Sequence, residues 1–144
     1  MIYKFSYQKV LDFKEKQKEI AEQEFGTSKL RQLEVEEQLE DLALEKEKIF
    51  NQYNDMKRKP VWQILEVQHE IEHVNLQLKK LEQKSEQIFH EVEQRHKTLI
   101  EKTQEAKIWD QWKAKSAAAF KKQMDQKEQA FLDEMAVMRN ARRI

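Results

Sequence analysis

Along the second half of the chain, apolar residues recur at alternating intervals of three and four: Ile64, Val67, Ile71, Val74, Leu78, Leu81, then Ile88, Val92, Leu99, Ala106 and Trp109. This spacing keeps a stripe on one side of a helix and defines a heptad seam, with Ile64 at a and Val67 at d. Ser85, Arg95 and Lys102 occupy the same lattice, and polar seam residues lower stability while fixing register. The first half carries a matching seam of Tyr7, Leu11, Ala21, Phe25, Val35, Leu39, Leu42, Ile49, Tyr53 and Met56, interrupted by Lys14, Lys18, Ser28, Gln32 and Lys46. Near the N-terminus Val10 and Phe13 point to a shifted stripe, so the register there stays open.

Between the seams stands Met56-Lys57-Arg58-Lys59-Pro60. Proline lacks the N–H that an interior helical position donates and clashes with the preceding turn, but suits the first turn of a helix. It also pushes Lys59 out of helical dihedrals. The Lys-Arg-Lys cluster suits the negative end of a helix dipole. The reading is a helix over about 4–58, a turn at about 58–61 and a helix over about 61–140. Two seams joined by a short connector fold back on each other, because neither stays in water. The predicted class is therefore all-α: a single domain, residues 1–144, forming an antiparallel coiled-coil hairpin with the C-terminal helix longer. Leu39 is expected near Leu78 or Leu81, and Leu11 near Ala106 or Trp109.

At 1.5 Å per residue the arms are roughly 80 and 120 Å long, so the last ~27 residues overrun the N-terminus by roughly 40 Å. That overhang is not polar all round. It carries Trp112, Phe120, Met124, Phe131, Leu132, Met135, Val137 and Met138, an apolar stripe with no mate in its own chain, which implies one elsewhere.

Composition agrees with long helices. Charged residues are 38% of the 144, against about 25% in ordinary domains. Gly26 and Pro60 are the single glycine and proline, too few for a fold with several turns. Regular apolar spacing argues against the disorder that high charge often signals. Gly26, inside the first helix, costs about 1 kcal/mol relative to alanine. Zero net charge argues against nucleic-acid binding across the surface. The charge is uneven locally, with Glu-rich residues 34–47, basic Lys57-Arg58-Lys59, and Arg139, Arg142 and Arg143 at the tail. There is no cysteine, hence no disulfide or thiol chemistry, which fits the cytosol. No transmembrane segment is expected, since no apolar run approaches the roughly 20 residues of a span, and Met1 to Phe5 has no signal-peptide core.

One run demands a chemical answer. His69-Glu70-Ile71-Glu72-His73 matches the H-E-x-x-H zinc-protease signature, whose histidines share a helix face. The lattice puts His69 at f and His73 at c, on the outer side. Catalysis needs a third protein ligand and a water-excluding cleft, and His90 and His96 lie roughly 25–40 Å further along. Metal binding by the pair is adventitious at most, and neither metal nor cofactor is expected. One glycine rules out a phosphate loop, and no serine or threonine sits beside a supporting histidine. Paired carboxylates follow from a charge-laced helix face. The chain reads as a protein-binding coiled coil and not as an enzyme. Trp62 and Phe50 flank the turn, while Tyr3, Phe5, Tyr7, Trp109 and Trp112 gather at the other end of the pairing. Tyr7 and Trp109 are expected to cap the coil; Trp112, Phe120 and Phe131 lack an internal mate.

The two ends carry a resemblance. Tyr3-Lys4-Phe5-Ser6-Tyr7-Gln8-Lys9-Val10-Leu11-Asp12-Phe13-Lys14-Glu15 resembles the opening of FliJ-family proteins, an aromatic start leading into a QKVLD-x-KE run. Lys121 to Ala136, with Asp125-Gln126-Lys127-Glu128-Gln129 and Leu132-Asp133-Glu134-Met135-Ala136, resembles their KEQK-x-LDE-[IM]-A end before an arginine-containing tail. The pattern spans the chain and is specific at its ends. The resemblance implies a small cytosolic component of the flagellar type III export apparatus, similar to the two-helix coiled coil of the rotary ATPase γ subunit. Such a stalk enters the ring of the export ATPase FliI, promotes its assembly or activity, links it to the export gate FlhA and escorts export chaperones. It would lie at the cytoplasmic face of the inner membrane, at the flagellar base. On that model Tyr3, Phe5, Lys9, Leu11, Trp112, Phe120, Met124 and Leu132 face the ATPase, and Phe50, Tyr53, Trp62 and Leu65 face the gate. The alternatives are a structural coiled coil that homodimerises through the overhang, and the equivalent stalk of a virulence type III system.

Overall fold

A computed structural model of the chain describes residues 2–54 and 59–142. These form two α-helices and no strand: α1, Gln8–Asn54, of 47 residues, and α2, Val61–Arg142, of 82. The fold is all-α with the C-terminal helix longer, as the two seams predict. Lys, Glu, Gln and Leu fill both elements and keep their rotamer freedom in a helix. The chain divides into two compact units: a terminal unit, Met1–Glu19 with Ile100–Ile144, and a central unit, Ile20–Leu99. In each, a stretch of α1 packs antiparallel against a stretch of α2.

In the central unit Ala21, Ser28, Val35 and Leu42 of α1 are buried, as are Val67, Val74, Ile88 and Val92 of α2. Phe25, Leu39, Ile49, Ile64, Ile71, Leu78, Leu81 and Leu99 are half-buried between them. Val35, Ile88 and Val92 form a contiguous cluster with Phe25 and Leu39 packed on it. The polar lattice positions lie inside too: Gln32, Lys46, Ser85 and Arg95 are half-buried. Ser28, at 2% exposure, is satisfied locally, its hydroxyl donating to the Phe25 carbonyl at 2.8 Å. Arg95 carries its charge to the rim and donates to Glu24 at 2.7 Å.

The terminal unit buries Phe5, Leu11 and Ala106, and half-buries Trp109. Leu11 is 2% exposed whereas Phe13 is 57% exposed. The seam therefore runs through Leu11, and the shifted stripe through Phe13 is not the packed one. Tyr7, also on the lattice, is 47% exposed, because the seam ends there and nothing covers the outer side of its ring. Tyr53 of the central unit, the last described residue of its stripe, is 37% exposed. Lys14 donates to Glu105 at 3.1 Å, and Lys102 approaches the same carboxylate at 3.7 Å. The hydrogen bond from Lys14 holds the Glu105 carboxyl below its ordinary pKa, Lys102 adds to this, and partial burial opposes it.

α1 starts at Gln8, later than the expected residue 4. The Tyr7 carbonyl accepts the first helical bond from Leu11 at 3.0 Å, and Gln8 N–H donates to the Phe5 carbonyl at 3.2 Å in the turn before it. In extended backbone, residues two apart point to one side, whereas in a helix they diverge. Tyr3 and Phe5 both reach α2 because the segment before the turn is not helical. The expected end of α1 at 58, the seam position Met56, the bases Lys57 and Arg58, and Arg143 lie outside the described residues. Pro60 stands just before α2, and its carbonyl accepts from Gln63 at 3.0 Å and Ile64 at 3.4 Å.

Gly26 faces open space: a methyl group added there meets nothing within 4 Å. Gly26→Ala is therefore expected to stabilise the protein by about 0.5–1 kcal/mol through backbone entropy alone. A thermal melt followed by circular dichroism checks this, and a lowered midpoint would show a contact at the position.

Candidate functional site

The most distinctive surface lies in the terminal unit. Tyr3 packs on Phe120 with ring centroids 5.3 Å apart, and Phe5 meets Trp112 edge-on at 6.1 Å. Tyr7 stacks on Trp112 at 4.9 Å and meets Trp109 at 5.9 Å, while the two tryptophans lie 5.0 Å apart. Offset and edge-on arrangements of this kind match the aromatic quadrupole and add to simple burial. Phe5 is the wedge at 8% exposure, whereas Trp112 stays 45% exposed. The Tyr3 hydroxyl is enclosed and has no hydrogen-bond partner among the described residues. The cluster is thus a clamp that pins the N-terminal segment on α2, with its outer tryptophan available to solvent.

Past the clamp, α2 continues alone. Phe120 and Met124 are half-buried, and every residue over 125–142 is exposed. Phe120, Met124, Phe131, Met135 and Met138 recur at helical spacing on one face. The face that seats Tyr3 therefore runs on uncovered, with Phe131 60% exposed and Leu132 and Val137 open on its flanks. Arg139 and Arg142 lie in the last turn, where cations suit the helix dipole.

Among the residues expected to face an ATPase, Lys9, Trp112 and Leu132 are exposed, and Tyr3, Phe120 and Met124 are half-buried. Phe5 and Leu11 are buried and so hold the surface up without forming it. Among those expected to face a gate, Phe50, Tyr53, Trp62 and Leu65 are all exposed in the central unit. Phe50 lies under the Lys46 ammonium at 5.8 Å, and among the described residues no ring pair joins it to Tyr53 or Trp62.

His69 and His73 both face solvent. His69 lies 3.8 Å from Glu72, and His73 contacts Gln77 at 3.2 Å. Among the described residues no group of three or more His, Cys, Asp or Glu is placed to hold a metal. His69→Ala/His73→Ala is expected to leave helicity and partner binding unchanged, by circular dichroism and pull-down. Among the described residues no helix is long and apolar enough to cross a membrane.

Reading the seams alone passes over an exposed row on α1, where Leu30, Leu33 and Leu44 point away from the core. The signal for it was a second heptad lattice on the other side of the same helix.

Comparison with known proteins agrees with the marks at the two ends of the chain. The family described as "Flagellar FliJ protein" matches residues 3–144. No curated protein and no solved structure shows a significant match.

Proposed function

Because this chain belongs to the flagellar FliJ protein family, we propose that it is a non-catalytic stalk of the flagellar export apparatus, whose terminal unit docks into the ring of the export ATPase FliI. The observation that carries this reading is the bare apolar face of α2 beyond Met124, continuous with a clamp that fixes its base. A single helix with apolar residues at helical spacing enters a narrow opening and lays one apolar face against its wall. Trp112, Phe131, Leu132 and Met135 are the anchors, and aromatic residues among them are the type that dominates interface energies. Phe5 and Leu11 act by holding the clamp in place.

In the same reading, the exposed Phe50, Tyr53, Trp62 and Leu65 meet the export gate FlhA, so that the stalk couples ring and gate and passes export chaperones between them. The protein then works in the cytoplasm, peripherally at the inner membrane beneath the flagellum. Purified FliI supplies the test. Adding the full chain is expected to raise its ATP hydrolysis and to bring both proteins into one sedimenting species. Unchanged hydrolysis together with separate sedimentation would overturn the proposal.

A further inference from the structure

The central unit carries a second helix face that packing within the chain does not use. On α1, Gly26, Leu30, Leu33, Glu37, Glu40 and Leu44 follow one another at alternating steps of four and three. That is the spacing of a heptad seam. The buried stripe of Ser28, Val35 and Leu42 occupies the other side of the helix. Leu30 is 63% exposed and Leu33 60%, with Leu44 similarly open. Gly26 leaves a notch at the head of the row, since nothing lies within 4 Å of where a side chain would begin. Such a gap admits the ridge of an approaching helix.

The row and its flanks carry carboxylates. Glu37 and Glu40 stand in the row itself and Glu34, Asp41, Glu45 and Glu47 beside it, and among the described residues none of them forms an ion pair. The carboxylates are therefore uncommitted beside leucines in helical register.

We propose that this face of α1 docks an amphipathic helix whose apolar edge is flanked by lysine or arginine, forming a three-helix layer on the central unit. Heptad spacing selects a helix as the occupant, because only a helix presents knobs at the same interval. The unpaired carboxylates select a basic one, since charge complementarity sets register and partner choice. An acidic amphipathic helix would bring like charges together along both flanks and is excluded by that repulsion.

The test uses the full chain and a synthetic helical peptide of about three heptads, with Leu at a and d and Lys at e and g. A second peptide carries Glu at e and g. Fluorescence anisotropy is expected to show the Lys peptide binding roughly tenfold or more tightly than the Glu peptide, with affinity falling as salt is raised. Leu30→Gln/Leu33→Gln is expected to weaken the Lys peptide by roughly tenfold. Glu37→Lys/Glu40→Lys is expected to narrow the preference between the two peptides, since four of the six carboxylates remain. Both changes lie on the exposed face, so helicity by circular dichroism should not move. Phe131→Ser/Met135→Ser, in the terminal unit, is expected to leave peptide binding intact. Equal binding of the two peptides, binding of neither, or a loss caused by the Phe131/Met135 variant in place of the Leu30/Leu33 variant would each overturn the proposal. None of these results depends on whether the terminal unit meets FliI.

Discussion

A chain ended after Met124 is expected to fold normally and to lose its stimulation of FliI. Every residue over 125–142 is exposed, so their removal uncovers no core and leaves no buried polar group unpaired. The Tyr3–Phe120 and Phe5–Trp112 contacts stay in place. The variant should therefore melt within a few degrees of the full chain, since changes at exposed positions are typically within about 0.5 kcal/mol. Binding is another matter. The shortened chain has lost Phe131, Leu132, Met135, Val137 and Met138 together. Loss of one such anchor typically costs about 2–4 kcal/mol, or roughly 30- to 1,000-fold in affinity. At a fixed concentration of stalk, hydrolysis by FliI should fall to its unstimulated rate. Phe131→Ser/Met135→Ser alone should weaken binding by roughly tenfold or more. A truncated chain that folds and stimulates as well as the full one would place the ATPase contact elsewhere.

The second large effect concerns stability and decides between two registers that differ by only a few residues. Leu11→Ala is expected to cost about 3 kcal/mol, because it opens a cavity at the largest fully buried side chain among the described residues and large-to-small changes there cost about 2–5 kcal/mol. The melting midpoint should drop by roughly 6–12 °C. Phe13→Ala removes a larger side chain, yet its effect should stay within about 0.5 kcal/mol, since that ring stands 57% exposed. If the phenylalanine variant were the damaged one, the pairing in the terminal unit would be shifted along the helix.

Most of the interior was legible before any coordinates. Steps of three and four identified Val35 and Leu42 on the first seam and Val67, Val74, Ile88 and Val92 on the second, and all are buried. The same lattice placed Ser28, Arg95 and Lys102 inside, where they lie buried or half-buried. Period alone could not say how their polarity is satisfied. Ser28 turns back to its own helix, a local option open to any serine. Arg95 and Lys14 need carboxylates on the facing helix, and those depend on axial alignment that spacing does not fix. The start of α1 at Gln8 is not legible in helix propensity, which treats Tyr3 and Phe5 as ordinary residues. Their burial against α2 overrides it, which is the usual way tertiary contacts defeat local preference. The leucine row on the outer side of α1 was written in the same intervals as the core. Glu37 and Glu40 interrupt its apolar run, so its period is weaker than that of the packed seam.

The pairing of distant segments also sets an order of events. Lys14 and Glu105 are separated by 91 positions, and Tyr3 and Phe120 by still more. Contacts beside Pro60 close small loops, while those at the chain's beginning close the largest, whose entropic cost grows with length. Folding is thus expected to zip outward from the connection and to seal the aromatic clamp last. On the ribosome, synthesis runs at about 5–20 residues per second, so Tyr3 and Phe5 wait several seconds, unsheltered, for tryptophan and phenylalanine not yet made. A newborn chain shows these two rings early and covers them last, which makes that interval the one in which a chaperone would find them.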